Sequence, residues 1–79
     1  MVEAYVLLKV EPGEERNVYN KLKELPEVKD INELYGEWDI IIKIETPKFD
    51  DLDSIITDKI RTINSIKNTT TMIVAKYKH

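Results

Sequence analysis

The sequence lacks cysteine, and its single histidine is the C-terminal residue, His79. Without thiols, the chain has neither a disulfide framework nor a thiolate metal site. It also has no glycine-rich phosphate loop and no cluster of histidine and acidic residues at metal-ligand spacing. These absences predict that the protein is not an enzyme and uses no metal or other cofactor.

Basic residues are outnumbered by acidic ones, 12 to 15, and long apolar runs are scarce. The formal net charge is −3, which argues against a surface that neutralises nucleic-acid phosphates. No apolar run approaches the roughly 20 residues of a transmembrane helix, and no signal-peptide segment follows Met1. We therefore expect a cytoplasmic protein that binds neither DNA nor a membrane directly.

The chain repeats one pattern twice, an apolar run, an amphipathic stretch and a second apolar run, within a single domain over residues 1–79. The predicted elements are 2–10, 14–25 and 27–35 in the first half, and 38–45, 50–63 and 66–77 in the second. This βαββαβ order predicts a ferredoxin-like α+β sandwich, with an antiparallel four-stranded sheet and both helices on one face.

Alternation within the strands separates two faces of this sheet. Residues 2, 4, 6, 8 and 10 are all apolar and should pack under the helices. The opposite face has Tyr5, Leu7 and Ile41 at mid-strand, while the run at 66–77 is apolar on both faces and is predicted to be buried above and below. A small domain without cysteine commonly gains stability by oligomerisation. We therefore predict a dimer interface formed by Tyr5, Leu7, Ile41 and Ile73.

The segment 27–35 is the least apolar strand candidate, and its apolar residues do not keep a strict period of two. This irregularity predicts a bulge or an edge position. The next segment, Gly36-Glu37-Trp38-Asp39, predicts a tight turn with positive φ at Gly36. Open backbone N–H groups there suit a carboxylate, and Asp39 or Glu37 suits an ammonium group. Alternatively, Gly36 only forms a hairpin turn and Asp39 only caps nearby backbone.

Three further residues have two or more possible roles. Thr69 and Thr71 alternate onto one face of the last strand, so their hydroxyls can reach one ligand, or they are ordinary β-branched strand residues. Trp38 can shield a ligand, pack in the core or pack across a subunit boundary, and we favour the boundary.

The chain resembles the effector-binding domain of the Lrp/AsnC transcription regulators, the RAM module. Three features carry the resemblance: the turn at 36–39, the apolar run that follows it, and the threonines before the final aliphatic run. The resemblance covers the whole chain. It implies an amino-acid effector bound where the turn meets a neighbouring dimer, and homodimers that assemble into a ring such as an octamer or a decamer. The ligand-binding residues that it implies are Gly36, Glu37, Trp38, Asp39, Thr69 and Thr71.

The sequence departs from this family because no helix-turn-helix precedes the first strand. We therefore expect a stand-alone form of the module that affects transcription indirectly. One alternative is a ligand-independent interaction module that forms mixed assemblies with helix-turn-helix-bearing Lrp/AsnC regulators. A weaker alternative is an ACT-like regulatory domain, which has the same element order. Acylphosphatases share the fold, but the loop at 11–14 lacks the arginine that they need.

Overall fold

The computed structural model describes residues 1–75, so the predicted end of the last strand at Tyr77 and the terminal His79 lie outside the described residues. The elements follow the predicted order. They are β1 (Val2–Val10), α1 (Glu15–Lys23), β2 (Val28–Glu33), β3 (Ile40–Thr46), α2 (Phe49–Ile55) and β4 (Ile66–Ile73). A π-helical segment, Ile56–Ile60, continues α2 directly. No helix in this part of the chain is both long and apolar enough to cross a membrane.

All strand pairs are antiparallel, and the sheet order is β2-β3-β1-β4. Val6 of β1 pairs with Ile42 on one side and with Thr71 on the other. This topology, with two helices packed on the sheet, confirms the predicted ferredoxin-like α+β fold.

One hydrophobic core lies between the sheet and the helices. Alternate residues of β1 and β3 supply its sheet side, as their period of two predicts. Val18 and Leu22 of α1 cover it together with Leu52 and Ile55 of α2. Because directly paired antiparallel residues share a face, this core also identifies the face that every other strand residue occupies.

The two outer strands differ in how well the sequence predicted them. The register of β2 shifts between Val28 and Asp30, and β2 is an edge strand, so both predicted features are present. The predicted burial of the last strand on both faces is not present within one subunit. The sheet order places β4 at the other edge, and Met72 and Ile73 keep 47% and 50% of their surface exposed.

Candidate functional site

The predicted turn lies in the loop between β2 and β3. Gly36 has positive φ, +132°, as predicted, and no atom beyond its two chain neighbours lies within 4 Å of where a Cβ would be. Glycine is therefore required here by the backbone conformation and not by lack of space. The N–H of Leu34 donates to the carbonyl of Asp39 over 2.9 Å, which closes the loop.

Asp39 joins this loop to β1 at two points. Its backbone N–H donates to the Leu8 carbonyl over 2.9 Å, and its Oδ2 accepts a 2.8 Å hydrogen bond from the Val10 N–H. The Val10 N–H points toward β3, but β3 begins only at Ile40, opposite Leu8. The carboxylate therefore replaces the strand partner that Val10 lacks, and its Oδ1 remains for another group.

Beside this loop, an open depression of about 650 Å³ lies at one end of the sheet. The turn between β1 and α1 contributes Gly13, and the first turn of α1 contributes Glu15 and Arg16. The segment from the end of β2 to the start of β3 contributes Glu33, Leu34, Tyr35, Gly36 and Asp39. The depression exists because β1 and β3 are adjacent and antiparallel, which puts these two connections at the same end of the sheet.

The charges around the depression are of both signs. Arg16 supplies one guanidinium, and Glu15, Glu33 and Asp39 supply three carboxylates. No carboxylate within residues 1–75 forms an ion pair with Arg16. Over the same residues, no group of three or more histidine, aspartate or glutamate side chains is placed to hold a metal ion. The arrangement suits a small ligand with both an anionic and a cationic group.

Sequence reasoning missed the contribution of the β1–α1 turn to this site. Arg16 belongs to no local motif, and the turn at 36–39 alone does not predict it. The signal that could have identified Glu15 and Arg16 is the predicted sheet order, which brings the two connections together, whereas Glu33 is close to Gly36 in the sequence.

The remaining predicted ligand residues do not line the depression. Glu37 is exposed and Trp38 is half-buried in the β2–β3 loop, and neither lines the depression. Thr69 and Thr71 pair with Leu8 and Val6, so they share one face, as predicted, and this is the helix side of the sheet. The subunit therefore does not bring these threonines to Gly36.

The face of the sheet opposite the helices has an apolar centre. Leu7 pairs with Ile41 and Tyr5 pairs with Met72, so these four side chains share the open face. Ile73 was assigned to this face in the predicted interface, but it pairs with Ala4 and so lies on the helix side. In a strand, neighbouring side chains point to opposite faces, and Met72 therefore occupies the place predicted for Ile73.

An ionic cluster lies on the same open face. The Nζ of Lys43 is 3.1 Å from Glu3 Oε2 and 3.6 Å from Glu45 Oε2. The hydrogen bond with Glu3, followed by the negative charge of Glu3, raises the pKa of Lys43 above 10.5. The open face is thus mixed, with apolar residues beside a lysine held between two glutamates.

Known proteins resemble this chain in both sequence and structure. Residues 3–78 match the family model of the Lrp/AsnC ligand binding domain. The chain is similar to the HTH-type transcriptional regulator FL11 of Pyrococcus furiosus, with 34% identity over 73 residues. That match covers 92% of this chain and 48% of the regulator, so the chain spans about half the length of the curated relatives that it matches first.

Two solved structures have similar lengths to this chain. The structure of FFRP-DM1 is 47% identical, with a TM-score of 0.93, and the match covers 95% of this chain and 100% of that one. The structure of the hypothetical protein PHS023 from Pyrococcus horikoshii is 46% identical, with a TM-score of 0.91, and the match covers 100% of this chain and 95% of that one.

Proposed function

Because the chain belongs to the Lrp/AsnC ligand-binding domain family, we propose that it binds an amino acid in the depression between the β1–α1 turn and the β2–β3 loop. The proposal rests on one observation: Arg16 and three carboxylates line the same depression beside Gly36. A free amino acid carries a carboxylate and an ammonium group on adjacent atoms. Arg16 pairs with the carboxylate, and the free Oδ1 of Asp39 accepts from the ammonium group.

A protein of the same fold supports the ligand class. The transcriptional regulator NMB0573 of Neisseria meningitidis has been solved in complex with L-Met. Its TM-score against this chain is 0.85, and the match covers 99% of this chain and 53% of that one. At 16% identity the likeness extends to the fold alone, so it supports a screen of amino acids and not methionine in particular.

Assembly is the second part of the proposal. Two subunits pair their open sheet faces through Tyr5, Leu7, Ile41 and Met72, and dimers then associate into a ring of four, five or another number of dimers. This pairing removes from water the apolar centre that one subunit leaves half-exposed. The ligand sits where dimers meet, with Trp38 packed at that boundary.

In this arrangement, Glu37, Thr69 and Thr71 contribute to the ligand site from across a subunit boundary. A ligand that contacts two subunits binds the assembled state better than the separated state. Its binding therefore shifts the assembly equilibrium.

The cellular role that we propose is indirect control of transcription. FL11 is a helix-turn-helix regulator, and this chain matches 48% of it. We propose a cytoplasmic, non-enzymatic protein that joins such regulators in mixed assemblies and makes no DNA contact with this domain.

A ligand-independent interaction module is the second candidate. It is favoured by the full exposure of Tyr35 at the loop tip, a position suited to a protein contact.

A thermal-unfolding screen with the twenty amino acids tests the ligand proposal. At about a hundred times Kd, a specific ligand should add about 2.7 kcal/mol to the free energy of unfolding. The variant Arg16→Gln should lose this gain. The variant Lys23→Gln, which removes the same charge from the exposed last turn of α1, should keep it. A screen without any stabilising amino acid would leave the interaction module as the better function.

Light scattering with and without the stabilising amino acid tests the assembly proposal. We expect a change in the mass of the assembly on ligand addition. We also expect that Leu7→Lys, which puts a charge in the paired sheets, prevents dimer formation. Dimers that persist in Leu7→Lys would contradict sheet pairing.

A further inference from the structure

The charges that line the depression do not balance, and we propose that the site selects a cationic amino acid such as lysine, ornithine or arginine. This inference rests on the proposed function. Three carboxylates, those of Glu15, Glu33 and Asp39, line the depression, and Arg16 is the one cation among its described lining residues. The lining alone therefore has a charge of −2.

A neutral amino acid leaves this imbalance unchanged. Its carboxylate pairs with Arg16 and its α-ammonium group pairs with one acidic side chain, so two carboxylates still face the ligand without a counterion. Asp39 is already held at Oδ2 by the Val10 N–H and is therefore the fixed acceptor for the α-ammonium group. Glu15 at the start of α1 and Glu33 at the end of β2 then remain for a second positive charge.

The apolar lining fits the stem of such a side chain. Leu34 and Tyr35 follow Glu33 directly, and 36% and 107% of their surface, respectively, is exposed. A lysine or arginine side chain can lay its methylene groups along Leu34 and its charged end near the tyrosine ring or the carboxylates. The same loop therefore offers contacts to both parts of a long cationic side chain.

Titration calorimetry with matched ligands tests the selectivity. L-Norleucine has the carbon skeleton of L-lysine without the ε-ammonium group. We expect L-lysine to bind about tenfold more tightly than L-norleucine at low salt, and the ratio to fall as salt screens the charges. Equal or tighter binding of norleucine would overturn this inference and leave the proposed function standing. Failure of every amino acid to bind would overturn the proposed function and this inference with it.

Two variants that each remove one negative charge test whether the depression causes the preference for L-lysine. Glu33→Gln removes a carboxylate from the depression, and Glu24→Gln removes one from the exposed C-terminal end of α1. We expect Glu33→Gln to lower the ratio of L-lysine affinity to L-norleucine affinity about threefold. Glu24→Gln should change neither affinity. An equal effect of the two variants on L-lysine would show that overall charge, and not this site, sets the preference, and would overturn the inference.

Discussion

Asp39 and Val10 are 29 positions apart in the sequence, and the Asp39 carboxylate accepts a 2.8 Å hydrogen bond from the Val10 N–H. The bond fixes the β2–β3 loop to the end of the central strand β1, where β3 has no residue to pair with Val10. Asp39 therefore holds the loop in shape and also lines the depression. The two roles that the sequence left open for this residue are compatible, because each uses a different carboxylate oxygen.

The structural role of Asp39 predicts a loss of stability in addition to any effect on ligand binding. Asp39→Ala leaves the part-buried Val10 N–H without an acceptor and should lower the free energy of unfolding by about 1–3 kcal/mol. Asp39→Asn keeps an acceptor oxygen and should lose less. Urea unfolding of the three proteins measures the difference. Equal stability of Asp39→Ala and the unaltered protein would contradict the structural role.

Gly36 should tolerate a methyl group poorly although space for it exists. Gly36→Ala forces an L-residue to φ near +132° and should cost about 1–3 kcal/mol of folding stability from the backbone alone. Gly13→Ala, at φ of +87° and with equally open surroundings, is the matched comparison and should cost less. Thermal unfolding of both variants measures the order. A smaller loss for Gly36→Ala than for Gly13→Ala would contradict it.

The fold was predictable from the sequence where one face of an element packs on the core. The alternation of apolar residues in β1 indicated the core face correctly. The end of the chain was not predictable in the same way. Residues 72–75 are apolar in succession, which suggests burial on both faces, but the sheet order decides that β4 is an edge. The π-helical turn at Ile56–Ile60 also has no signal in the apolar period.

The candidate site was predictable only in the part that a single loop provides. Gly36 and Asp39 follow from turn chemistry, because a glycine with positive φ and a nearby capping carboxylate are local features. Glu15 and Arg16 reach the same depression through the packing of a segment that is distant in the sequence. The proximity of the two segments depends on which strands are neighbours, so it can be predicted only after the sheet topology is known.

The ion pair between Glu27 and Lys59 predicts a specific response to acid. A hydrogen bond with its own backbone N–H is the main cause that lowers the pKa of Glu27 below 4.5, and Lys59, with Nζ 3.2 Å from Oε2, lowers it further. A carboxyl group with a lowered folded-state pKa stabilises the fold above pH 4.5, and this stabilisation is lost as the pH falls through the folded-state pKa.

Lys59→Met should therefore raise the pKa of Glu27 without returning it to 4.5, because the backbone hydrogen bond remains. An NMR titration of the Glu27 carboxyl carbon measures the change. Lys23, in the last turn of α1, forms no ion pair within residues 1–75, so Lys23→Met is the control and should leave the pKa of Glu27 unchanged. A Glu27 pKa that is the same in both variants would show that Lys59 does not contribute.

Met72 and Ile73 provide a matched test of which sheet face pairs with a second subunit. The two residues are adjacent and almost equally exposed, at 47% and 50%, but Met72 lies beside Tyr5 on the open face and Ile73 lies beside Ala4 on the helix side. A buried, unpaired lysine opposes association far more than an exposed one. If open faces pair, Met72→Lys should therefore shift the protein toward monomers, and Ile73→Lys should have a much smaller effect. Sedimentation at micromolar concentration separates the two outcomes, and stronger dissociation by Ile73→Lys would place the interface on the β4 edge or the helix side instead.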